Sequence, residues 1–158
     1  MTSPLPVQVS GPGEGQTVDM GPLEQVVFKA TGSTTGGGFE LLELRVQPGG
    51  GPPDHVHRNH DEAYYVCSGA LRFRLGDQRF TATAGTYVYV ERGEPHTFAN
   101  PGTTAATALV LVRPAGLQGF FERLGPLLFG APDEAEIARI SAEYACEDAP
   151  PLAINEVR

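Results

Sequence analysis

Between residues 23 and 113 apolar positions recur in short runs, QVVFKA, FELLELRV, EAYYVC, ALRFRL, RFTATA, TYVYV, HTFAN and TALVLV, punctuated by Gly, Pro and Asp. Runs of this length and spacing predict strands of an antiparallel sandwich or barrel. In ALRFRL, Leu71, Phe73 and Leu75 alternate with Arg72 and Arg74, so one face is expected to be buried and the other wet. Gly76-Asp77 then supplies a turn into RFTATA. No internal repeat is visible, and the glycine-rich stretches at 36–38 and 48–53 read as tight connections within one domain.

Past Arg113-Pro114 the period changes, and GLQGFFERLGPLLFG and PDEAEIARISAEYAC read as helices. Asp133 with Glu136 resembles a capping box, and Ile137, Ile140 and Tyr144 fall on one helical face. The expectation is an arm over 1–22, an all-β barrel over 23–113, and a helical extension and tail over 114–158. Phe120, Phe121, Leu124, Leu127 and Phe129 are expected to pack on the outside of the barrel, since an apolar helical stripe is ordinarily core. A lid over the barrel mouth is the alternative.

Bulk properties narrow the partners. A chain of 158 residues makes one domain of ordinary size. A net charge of -8 and a pI near 4.9 disfavour nucleic acid, whose affinity is largely electrostatic, and point to small molecules. No apolar run is long enough to cross a bilayer, and the start lacks a basic and an apolar leader segment, so a cytoplasmic protein without membrane contact is expected. Cys67 and Cys146 do not make a disulfide framework and read as reduced thiols.

The histidines are unevenly placed: of four, three lie in HVHRNHDE at 55–62 and the fourth, His96, in RGEPHTFAN. Side chains alternate along a strand, so His55 and His57 project to one side and can reach one ion. Glu62 lies an odd number of positions beyond His57 and can join them only if the chain bends through RNHD. Glu62, Tyr64 and Val66 then share the inward face of a new strand, and Cys67 points away. Three imidazoles and a carboxylate suit one divalent transition metal such as Fe, Mn, Co, Ni, Cu or Zn, and leave coordination positions open for catalysis. His60, on the bend, is either solvated or a contact that orients ligands or substrate. Tyr64 and Phe98 are candidate pocket walls, with core packing the competing role.

These residues also carry a resemblance to the cupin superfamily. Its first motif is met at Gly49, His55, His57, Glu62 and Gly69, and its second at Gly85, Gly93, His96 and Asn100, with Glu91 where proline is expected. The resemblance implies a double-stranded β-helix (jelly-roll) barrel, with His55, His57, Glu62 and His96 as metal ligands and a homodimer as the assembly. More loosely, the chain resembles single-barrel cupins related to quercetin 2,3-dioxygenases. That likeness implies an enzyme that chelates a flavonol-like or polyketide-like enolic aromatic, with Glu62 as general base and O2 as co-substrate. Alternatives are a non-oxidative cyclase or isomerase using the metal as a Lewis acid, and a binding module that leaves its ligand unchanged. No basic cluster accompanies the barrel, which disfavours a DNA-linked sensor.

Overall fold

The computed structural model describes residues 8–149. Two antiparallel sheets face each other. One has the order β1 (Gln16–Asp19), β2 (Glu24–Ala30), β3 (Glu40–Val46), β10 (Ala106–Arg113), β5 (Asp61–Ser68), β8 (Tyr87–Val90). The other has the order β11 (Cys146–Asp148), β4 (His55–His57), β9 (His96–Ala99), β6 (Ala70–Leu75), β7 (Gln78–Thr83). Alternation builds the core between them: Leu42, Leu44 and Val46 from β3, Val66 from β5, Leu71 and Phe73 from β6, and Ala108, Val110 and Val112 from β10 are all buried.

The expected barrel span gains a strand on each side. β1 lies within the predicted arm and pairs with β2, and β11 lies within the predicted helical extension and pairs with β4. The parts of the expected arm and tail at 1–7 and 150–158 lie outside the described residues. The alternation in β6 holds for Leu71, Phe73 and exposed Arg72, but Arg74 is not wet. Its side chain is largely covered and paired with Asp54.

The extension forms α1 (Gln118–Leu124), a 3-10 turn (Gly125–Leu128) and α2 (Glu134–Glu143). α2 starts as its sequence indicates, with the Asp133 side chain accepting from Glu136 N at 3.1 Å. Only half of the capping box forms, because the Glu136 carboxylate turns to Arg139 at 2.6 and 2.7 Å. The helix ends at Glu143; Ala145 takes a φ of 51°, and the chain leaves as a strand, so Cys146 sits in β11 and not at a helix end.

α1 is capped from the barrel. The carboxylate of Glu40, 2 % exposed at the start of β3, accepts from Gly116 N at 3.0 Å, Leu117 N at 3.0 Å and Gln118 N at 3.2 Å. One buried anion thus satisfies amide groups that a helix start otherwise leaves orphaned. This fixes α1 against the end of the barrel, with Phe121 edge-on to Phe28 of β2 at 5.9 Å.

Candidate metal centre

The bend predicted after His57 is a change of sheet. β4 belongs to the five-stranded sheet and β5 to the six-stranded one, so residues 58–60 carry the chain across the barrel. His55 and His57 therefore approach from one wall and Glu62 from the other. His96 is His55's direct cross-strand partner on β9. One donor atom from each of His55, His57, Glu62 and His96 can be chosen so that all lie within 4.8 Å of one another.

Local hydrogen bonds decide which nitrogen of each ring faces the centre. His55 Nδ1 lies 2.9 Å from Pro53 O, and His96 Nδ1 lies 2.9 Å from Glu94 O. A carbonyl oxygen only accepts, so each Nδ1 carries a proton and it is the Nε2 of each ring that faces the cluster. His57 Nδ1 lies 3.1 Å from the Sγ of Cys146. The thiol's own hydrogen points toward Tyr144 O, 3.6 Å away, leaving sulfur as the acceptor. Burial, helped by the charge of Glu62, pushes the Cys146 thiol up to about 12, so it stays protonated.

Glu62 is at the centre of the polar network. Its Oε2 accepts from Tyr64 Oη at 2.8 Å and meets His96 Nε2 at 2.9 Å, while Oε1 is 3.6 Å from His57 Nε2. Burial alone would raise its pKa, but His57 and His96 together hold it below the ordinary carboxylate range. Burial, aided by the neighbouring rings, pushes His55 down to about 3. It also lowers His57. For His96 burial acts downward too, but the bond to the Glu62 carboxylate wins and raises it. Tyr64, lifted well above its usual value by burial and then by Glu62, remains a donor. Three imidazoles of which two are held neutral, plus one ionised carboxylate, form a buried set that could hold a divalent ion.

The cluster opens into a cavity of about 410 Å³ whose wall includes His55, His57, Glu62, Tyr64 and Phe98. That volume lies within the range of about 300–1,000 Å³ usual for small-molecule sites. Leu42, Leu44 and Val110 line it from the barrel, and Phe120, Phe121 and Leu124 from α1. The expectation that these helical residues pack on the outside of the barrel is therefore corrected. They close over its mouth, because the Glu40 cap holds α1 across the opening between the sheets. Phe129, expected in the same stripe, is 51 % exposed.

Tyr64 and Phe98 are both wall and core, their rings 5.7 Å apart at 63°. His60, a candidate pocket contact, is absent from the cavity wall. It is buried against Gly116, with Nδ1 2.8 Å from Pro114 O, and so braces the approach to α1.

The second motif's residues explain how His96 is held. Gly93, at a φ of 85°, turns the chain between β8 and β9 and donates its N–H to His57 O at 2.8 Å, tying the two histidine-bearing strands together. Glu91, where proline was expected, contributes its carbonyl to the same turn, accepting Glu94 N at 3.1 Å, so the departure leaves the turn intact. Asn100, just after β9, ties that strand's end to β3 and to the loop before β10, donating to Val46 O at 2.9 Å and Thr104 O at 2.8 Å while accepting from Gly102 N at 2.8 Å. Sequence reasoning missed Cys146 as a neighbour of His57. It also missed Glu24, a second carboxylate in the cavity wall.

Two sheets of this topology closing on a three-histidine, one-glutamate cluster define a cupin barrel. Residues 42–112 match the cupin domain family. Quercetin 2,3-dioxygenase of Bacillus subtilis (strain 168) is 33 % identical over 86 residues, which cover 54 % of this chain and 25 % of that one. The chain spans a quarter or less of the length of the curated relatives it matches. Among solved structures, a predicted oxalate decarboxylase from Thermotoga maritima superposes with a TM-score of 0.63 at 18 % identity, covering 68 % of this chain and 99 % of that one. A sugar phosphate isomerase from a cupin superfamily, from Silicibacter pomeroyi, gives a TM-score of 0.58 at 19 % identity, covering 66 % and 74 %. At these identities the structural likenesses speak for the fold. No helix among the described residues is long and apolar enough to cross a membrane.

Proposed function

We propose that this protein is a metal-dependent dioxygenase acting on an enolic aromatic of flavonol-like or polyketide-like class, with His55, His57, Glu62 and His96 as the metal ligands. The observation that carries the proposal is the coupling of a buried three-histidine, one-carboxylate cluster to a cavity walled by apolar and aromatic side chains. The partial likeness to quercetin 2,3-dioxygenase supports the choice of substrate class. A divalent ion held by the cluster would supply Lewis acidity, making a chelated enol acidic enough for a carboxylate to serve as its base.

The protein's own groups then have distinct tasks. Tyr64 and His96 both engage Glu62 Oε2, so Oε1 is the less committed oxygen and the seat for the enolic proton. Tyr64, remaining protonated, holds the carboxylate in place while it does so. Phe98, Phe120 and Phe121 flank the aromatic rings and keep bulk water from the reacting end. The proposal extends to a cytoplasmic homodimer, whose assembly light scattering of the purified protein would read.

The test is turnover by protein loaded separately with each candidate divalent metal, against a panel of enolic aromatics that includes quercetin, with oxygen uptake recorded. Product formation strictly coupled to oxygen consumption is the expected result. Equal product under anaerobic conditions would replace this reading with a cyclase or isomerase, and tight binding without any turnover would replace it with a binding module.

A further inference from the structure

Glu24 is the acidic residue of the cavity wall that the metal cluster does not use and the barrel faces inward. It is the first residue of β2, where Val26 and Phe28 are buried, and strand parity sets Glu24 on their side. Glu24 itself is partly buried, beside its fully buried cross-strand partner Val46. Glu24 lines the same cavity as His55, His57, Glu62 and Tyr64.

Glu24 also borders a second, open pocket whose lining includes Arg45. No lysine or arginine lines the cavity among the described residues, and the neighbouring wall positions, Leu23, Val26 and Leu44, are apolar. Burial pushes the Glu24 carboxyl up to about 7, with a Gly51 N–H drawing it partly back. A carboxyl turned inward at such a cost is unusual for a merely structural position and common for a group kept to meet a ligand. The other acids at the cavity, Glu147 and Asp148, are exposed on β11.

We propose that Glu24 is the cavity's recognition carboxylate, accepting a hydrogen bond from a hydroxyl group that the ligand carries outside its metal-chelating oxygens. The cavity thereby selects polyhydroxylated aromatics over bare ones. The substrate class named in this inference rests on the proposed function, whereas the role of Glu24 rests on the cavity itself. Specificity follows because a ligand that covers the carboxylate without offering it a donor strips its water and leaves an acceptor oxygen unpaired.

Two probe pairs separate those claims, each measured by titration calorimetry at pH 8 with wild type, Glu24→Leu, Glu24→Gln and Glu147→Gln, folding being checked by circular dichroism. The first pair, 2-naphthol and naphthalene, differs by one hydroxyl and assumes nothing about flavonols. Wild type is expected to prefer 2-naphthol by about tenfold more than Glu24→Leu does, with Glu24→Gln intermediate and Glu147→Gln unchanged. An unchanged preference in Glu24→Leu, or no binding of either probe, overturns the assignment. The second pair is quercetin and 3-hydroxyflavone, which share the chelating oxygens and differ in their remaining hydroxyls, tested on zinc-loaded protein. A preference for quercetin that falls about tenfold in Glu24→Leu supports both claims. Failure of either flavonol to bind while the naphthol preference holds sinks the flavonol reading and leaves Glu24 assigned.

Discussion

Replacing Glu40 by alanine should be among the most damaging single changes outside the histidine–glutamate cluster. The side chain is 2 % exposed and accepts from three amide groups, at 3.0, 3.0 and 3.2 Å, around the start of α1. A hydrogen bond to a charged group is worth roughly 1.5–3 kcal/mol net, but three bonds to one carboxylate do not add, since part of the loss is shared desolvation. Leu117 is fully buried, so water cannot readily replace the lost acceptor at its amide. A loss of about 3–4 kcal/mol follows, a large part of the 5–15 kcal/mol typical of a whole domain. In urea, with a slope of about 2 kcal/mol/M, the midpoint should fall by about 1.5–2 M. Glu40→Gln, which keeps one acceptor oxygen, should lose about half as much. Amide exchange over Phe120–Leu124 should quicken in both variants, because the cap holds that helix over the cavity. A midpoint shift below about 0.5 M for Glu40→Ala would refute the reasoning and mean that α1 is held by its apolar contacts alone.

The remaining expectations concern the site and its supports. His57→Ala should abolish stoichiometric metal by elemental analysis of protein purified without chelators, whereas His60→Ala, whose partner is Pro114 O, should leave the metal bound. Cys146→Val removes the acceptor for His57 Nδ1 and should weaken metal affinity about 10- to 100-fold in competitive chelator titrations, with Cys146→Ser restoring most of it; equal affinities would show the thiol to be packing only. The Asp61 carboxylate is held well below its usual range, chiefly by the Arg92 guanidinium and backbone amide. A depressed carboxylate contributes stability that is full above its unfolded pKa of about 3.9 and is lost as pH falls through the folded value. Acid titration of chemical stability should therefore show wild type losing, below about pH 4, an increment that Asp61→Asn lacks at every pH.

Much of the fold and the convergence of His55, His57 and Glu62 could be read from residue spacing because both are written in local periodicity. Strand parity alone pairs His55 with His57 and demands a break before Glu62, and the structure makes that break a crossing between sheets. Parity reaches two further residues. Continuing Leu42, Leu44 and Val46 back by two places turns Glu40 inward, and continuing Phe28 and Val26 does the same for Glu24. A charged residue at a strand end ordinarily faces water, so neither position stands out in the sequence. Cys146 is a different case. Its partner His57 lies 89 positions earlier, and no local pattern distinguishes a strand after α2 from the helix's continuation. The helices' place over the barrel mouth was hidden for the same reason, since an apolar stripe records that it is covered and not by what.

Strand β4 has only three residues, two of them histidines of the cluster, and it is held on one edge by β9 and on the other by β11. Until Cys146–Asp148 docks, that edge presents unpaired backbone, and His57 is free to turn its ring or choose the other tautomer. Such a distant partner makes the final geometry of the centre a late event in folding, since loop closure must come before the contact rewards it. An ion arriving early would meet a loose pair of histidines able to accept many geometries; one arriving after β11 has docked would meet a set already committed. Were the cluster to hold an ion, the moment of its loading relative to the last strand would bear on which metal is kept.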